Sequence, residues 1–116
     1  LFEYGQCLSK TGQYEEGIRI LTEGTRLSAD PMFYNIMGKD AEALKHFGQA
    51  EACFKQASYM VPHRLYPLYL LAKMYFESGQ PEKGRDMARQ VIQKEPKVMS
   101  DAVKEMKAEL EERLKP

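Results

Sequence analysis

The sequence lacks an excess of charge of either sign: seventeen Lys and Arg stand against seventeen Asp and Glu, a formal net charge of zero. Nucleic-acid binders neutralise phosphates with a basic surplus, so no nucleic-acid partner is expected. Two cysteines in 116 residues are too few for a disulfide scaffold. Long apolar runs are also missing. The longest, Leu65 to Ala72, contains Pro67 and is far too short to span a bilayer, so no membrane insertion of this chain is expected. The opening residues, LFEYGQCLSK, show no basic n-region and no apolar core of a signal peptide, and there is no initiator Met. The chain therefore reads as a piece of a longer protein, and its composition leaves the compartment open. What is present is an ordinary globular mixture, 43% hydrophobic and 29% charged, long enough for one domain.

The chain repeats itself. YGQCLSKTGQYEEGIRIL from Tyr4, MGKDAEALKHFGQAEACF from Met37 and LAKMYFESGQPEKGRDMA from Leu71 align without gaps. Gly5, Gly38 and Ala72 coincide, 33 and then 34 residues apart, as do Tyr14, Phe47 and Pro81, and then Gly17, Ala50 and Gly84. A fixed period near 34, with small residues where two helices cross closely, points to a helix–turn–helix repeat. The pattern resembles the tetratricopeptide repeat family over nearly the whole chain. That resemblance implies an all-α, right-handed α-α superhelix of three helix pairs and a C-terminal capping helix. The expected division is one domain over residues 1–116, with repeats at about 1–30, 31–64 and 65–98 and the capping helix at about 99–115.

Two of the three turns inside the repeats are written plainly, as KTGQY at Lys10–Tyr14 and ESGQP at Glu77–Pro81. Gly12 and Gly79 reach a left-handed conformation at little cost. The middle copy has Lys45 in their place, and nothing local forbids one helix from Tyr34 to Val61. The alignment nevertheless predicts a break near Lys45–His46, with Lys45 at positive φ. Seven helices are expected near Phe2–Lys10, Glu15–Ser28, Met32–Leu44, Gly48–Met60, Pro67–Glu77, Glu82–Lys94 and Ser100–Leu114. The seventh carries one apolar stripe of Val103, Met106, Leu110 and Leu114, suited to closing the open end of a stack. Asp40 aligns with Cys7 and Met74, so it either turns out to solvent or caps a neighbouring group.

No catalytic constellation emerges. Cys7 with His46 or His63 is the one nucleophile–base combination, but Cys7 falls on an apolar face and reads as a buried thiol. A Cys7–Cys53 disulfide would need contacts between different repeats. His46 and His63 lie 17 residues apart with no i, i+4 histidine partner, so no metal site is expected, and no cofactor. MGKD lacks the glycine-rich loop that cradles phosphate.

What the family resemblance implies instead is a concave groove lined by the first helix of each repeat, holding an extended or helical partner segment. Carried onto this sequence, that face is Phe2, Gln6 and Ser9, then Met32, Asn35, Lys39 and Glu42, then Tyr66, Tyr69, Lys73 and Phe76. The expected partner-binding set is Asn35, Lys39, Tyr66, Tyr69, Lys73 and Phe76. The last four form one stripe at helical spacing, and the lysines suit an acidic residue on the partner. Self-association is a further expectation. Phe2, Ile36, Tyr66 and Leu70 stand where the chaperone-tail binders of the family carry carboxylate-holding residues, so that mode is not expected.

A narrower resemblance rests on ASYMVPHRLYPLYLLAKMYFESGQ and on PKVMS followed by AVKEMK. This part of the chain, about Phe33 to Lys115, is similar to the soluble C-terminal region of bacterial O-antigen ligase/polymerase-like membrane proteins. It implies a periplasm-facing accessory domain without the catalytic residues of the parent. A cytoplasmic adaptor and a carbohydrate binder using Tyr66, Tyr69 and Phe76 as stacking platforms are the alternatives.

Overall fold

The computed structural model describes residues 2–28, 30–96 and 99–115, and every regular element among them is an α-helix. In chain order these are α1 (Phe2–Lys10), α2 (Tyr14–Gly24), α3 (Pro31–Ala43), α4 (Phe47–Met60), α5 (Tyr66–Glu77), α6 (Pro81–Gln93) and α7 (Asp101–Leu114). Each helix packs on the next, while α1, α3, α5 and α7 lie side by side along one face. This is an α-α superhelix of three helix pairs closed by a single helix. The expected boundary between the third pair and the last helix falls on Lys97 and Val98, outside the described residues.

All three turns within the pairs have one geometry. Gly12 and Gly79 sit at φ of 82° and 78°, and Lys45 takes the same left-handed place at 65°. In each, the next residue's N–H reaches back across the helix end: Gln13 to the Leu8 carbonyl at 2.8 Å, His46 to Ala41 at 2.8 Å, and Gln80 to Tyr75 at 2.9 Å. This is a Schellman closure, which satisfies the carbonyls a helix end leaves bare. The break at Lys45 is therefore enforced from outside the local sequence. Folding α4 back on α3 brings Phe54 onto Gly38, so closely that a Cβ at Gly38 would lie 2.5 Å from the ring.

Other ends have local causes. Asp30 accepts from the Met32 N–H at 2.9 Å and Pro31 opens α3, while Ser100 accepts from Val103 N–H at 3.2 Å and starts α7. Lys107 Nζ donates to the Ile92 and Lys94 carbonyls at 2.9 and 2.8 Å and seals the end of α6. The second helix ends at Gly24, four residues before the expected Ser28. Its last turn gives way to hydrogen bonds from Leu27 and Ser28 N–H to the Gly24 carbonyl, at 3.0 and 3.1 Å.

The core runs along the stack in three connected clusters. Leu21, Phe33, Ile36, Met37 and Cys53 join the first two pairs; Ala41, Phe54, Leu70, Leu71, Met74 and Tyr75 join the second and third. At the far end α7 buries Leu110 among Leu65, Ala72, Ala88 and Val91.

Cys7 is exposed, not buried as expected, and Asp40 is 1% exposed: it does not turn out to solvent but takes the other expected course, accepting a hydrogen bond from the Ser9 hydroxyl of α1 at 2.8 Å. Positions 7, 40 and 74 face the helix pair that comes before their own. Met74 and Asp40 have such a neighbour, whereas none of the described helices lies before α1.

Candidate functional site

The expected binding stripe divides into a clasped part and an open part. In the clasped part, Tyr69 donates to Glu109 of α7 at 2.8 Å, Lys73 donates to the Tyr69 hydroxyl at 3.2 Å, and Lys73 pairs with Glu109 at 3.1 Å. Arg113 lies over the Phe76 ring at 5.4 Å. Burial pulls the Lys73 ammonium down, but its bonds to Tyr69 and Glu109 outweigh that and raise it; the same bonds lower Glu109 against its own burial. Burial and the bond to Glu109 together raise the Tyr69 phenol. The half-buried Tyr69, Lys73 and Phe76 thus already face an amphipathic helix with apolar anchors and an acidic residue. That helix is the chain's own α7.

The signal for this was in the period. A seventh helix after three pairs takes the place of a fourth first helix, beside α5, and Glu109 and Arg113 point their charges along that seam.

The open part lies on α3 and the start of α5. Lys39 is exposed, donates to the Tyr66 hydroxyl at 3.1 Å and sits 5.8 Å from that ring's centre. Tyr66 stacks on Tyr69 with ring centres 6.1 Å apart, so it stands at the seam of the two parts. Among the described residues, Lys39 has no carboxylate within ion-pair distance. Glu42, one turn further along α3, is raised by burial and then by the neighbouring carboxyl of Glu77, with Lys73 and Lys39 only partly opposing this. An added carboxylate is therefore disfavoured at the Glu42 end of the groove and favoured near Lys39.

Asn35 is the exception among the expected groove residues, because it is 3% exposed. Among the described residues, its Nδ2 donates only to the Met32 sulfur, at 3.7 Å, and its buried Oδ1 has no partner. It shares the wall of a cavity of about 390 Å³ with Pro31, Met32, Val61, Tyr66 and Pro67. Leaving a buried amide oxygen unpaired costs about 1–3 kcal/mol. Met32, whose sulfur touches the Asn35 amide nitrogen, is 40% exposed and built on a flexible thioether.

Two family models described as Tetratricopeptide repeat match the chain, at residues 1–31 and 68–97, which together span just over half of it. The chain belongs to the tetratricopeptide repeat family. Such repeats are generally non-catalytic and serve protein–protein interaction. The matched segments are the α1–α2 pair and the α5–α6 pair; α3–α4, which carries Asn35, Asp40 and Lys45, lies between them. No curated protein matches the chain.

Proposed function

We propose that this tetratricopeptide repeat domain is a non-catalytic interaction module whose open groove takes a polypeptide segment. Asn35, Lys39 and Tyr66 form the contact floor, and Tyr69, Lys73 and Phe76 contribute from beneath the edge of α7. The observation that carries the reading is the unused amide of Asn35. An amide with a buried, unpartnered oxygen and only a sulfur for its N–H is complemented by the N–H and C=O of another amide, such as a partner's main chain. An apolar side chain next to that amide suits the cavity wall, and an acidic one suits Lys39.

Selection of displayed peptides against the whole domain tests this. Peptides with an apolar anchor beside an acidic residue are expected, with binding weakened about tenfold or more by Asn35→Ala or Tyr66→Ala. Tyr59→Ala, at an exposed position of α4, is expected to leave affinity unchanged. Selected peptides that bind all variants equally would refute the assignment.

The likeness of residues 33–115 to O-antigen ligase/polymerase-like proteins supports a further step. We read the chain as the periplasm-facing accessory part of such a membrane protein, docking a neighbouring subunit or the parent's membrane portion. None of the described helices is long and apolar enough to cross a membrane, so the anchor in this reading lies elsewhere in the parent. The coding sequence upstream decides: about ten or more apolar spans support it, and none refutes it.

A further inference from the structure

A buried carboxyl and a hydroxyl join α3 to α1 with one hydrogen too few. Asp40 Oδ2 lies 2.8 Å from Ser9 Oγ, and the same Oγ lies 3.1 Å from the Gly5 carbonyl. The backbone of α2 seals the place from the third side: a Cβ on Gly17 would fall 2.9 Å from Asp40 Oδ2 and 3.1 Å from Ser9 Oγ. A serine hydroxyl has one hydrogen to give. With Asp40 ionised, Ser9 donates to the carboxylate, and a nearly fully buried anion is left with that single bond. With Asp40 protonated, Asp40 donates to Ser9 Oγ and Ser9 donates to the Gly5 carbonyl. Only the second state supplies a hydrogen to both contacts, and it leaves no charge buried.

We propose that Asp40 and Ser9 form a proton-operated clasp that holds α1 against α3 when the carboxyl is protonated and lets α1 open more readily when it is ionised. The surroundings offer the anion little relief. From α1 the neighbours are Ser9 and Lys10, from α2 Tyr14 and Gly17, from α3 Lys39, and from α4 the buried thiol of Cys53. Among the described residues, no Lys or Arg lies within 4 Å of the carboxylate. Burial accordingly pushes the Asp40 carboxyl up to about 6, with the Ser9 bond pulling the other way. The sign follows from linkage. A carboxyl raised in the closed form favours that form at low pH, and the advantage is lost as pH rises through the raised value. The consequence reaches the groove, because α1 and α3 are the two walls of a cavity of about 330 Å³ lined by Gln6, Ser9, Ile36, Lys39 and Asp40.

The test is amide hydrogen exchange resolved by residue, corrected for the intrinsic pH dependence of exchange, alongside carbon-13 titration of the Asp40 carboxyl. With a carboxyl at about 6 when closed and 3.8 when open, protection of α1 is expected to fall about tenfold between pH 5 and pH 8 relative to α5 and α6. Asp40→Asn carries a permanent donor in the same place and is expected to hold α1 protection flat across that range. Ser9→Ala removes the one bond to the anion and is expected to move the Asp40 titration higher. An Asp40 that titrates near 4, or an α1 whose protection ignores pH while Asp40 titrates, overturns the clasp. So does an Asp40→Asn variant that keeps the wild-type pH dependence. Should that variant not fold, the wild-type titration and exchange decide alone.

Discussion

Replacing Lys45 with Gly isolates the energy by which tertiary structure bends this chain against its local preference. A non-glycine residue at φ of 65° carries about 1–2 kcal/mol of left-handed strain. Glycine relieves it but brings about 0.5–1 kcal/mol of extra backbone entropy in the unfolded chain. Lys45 is exposed, so truncation removes no packing. The net expectation is a stabilisation of about 0.5–1 kcal/mol, or about 2–4 °C in melting temperature for a chain of this size. The reverse change supplies the control. A Cβ at Gly79 meets nothing within 4 Å, so Gly79→Lys tests backbone strain alone and should destabilise by a similar amount. Calorimetry or urea titration of the two variants beside the wild type is the assay. A lower melting temperature for Lys45→Gly, or an unmoved one while Gly79→Lys shows the full loss, would refute strain at Lys45. The Schellman closure would then tolerate lysine without strain.

At the crossing of α3 and α4, Gly38→Ala drives a methyl against the fully buried Phe54 ring and should cost about 1–3 kcal/mol. Gly48→Ala, in the first turn of α4 with open space around its Cβ, should stabilise by up to about 1 kcal/mol, read as a higher midpoint in the same urea titration. The two cysteines should separate chemically. Burial, with the Asp40 charge beside it, pushes the Cys53 thiol up to about 11, whereas Cys7 is exposed. Mass spectrometry after iodoacetamide at pH 8 should find one label, on Cys7, and a second only in denaturant; early labelling of Cys53 would mean that α4 opens far more often than its packing implies.

The sequence by itself determined the period, the helix class and where most helices begin and end. Those properties follow from local chemistry repeated in register: small residues at crossings, glycine at left-handed turns, apolar stripes at helical spacing. Even the unmarked turn at Lys45 was legible, because its two partners in the repeat carry glycine there. What the tertiary structure alone decided are the places where copies of one motif have different neighbours. Cys7, Asp40 and Met74 occupy one repeat position, and each side chain's burial depends on whether a preceding helix pair covers it. Tyr69, Lys73 and Phe76 form the stripe their spacing describes, yet α7 meets them because the last helix of the stack lies beside α5. Asn35 sits on the groove side of α3 as its position requires, but the turn after α4, at Val61, and the start of α5, at Tyr66 and Pro67, wall it into a cavity with its oxygen unpaired. Local sequence sets which residues share a helical face; only the stacked neighbours decide whether that face meets water, core or a partner.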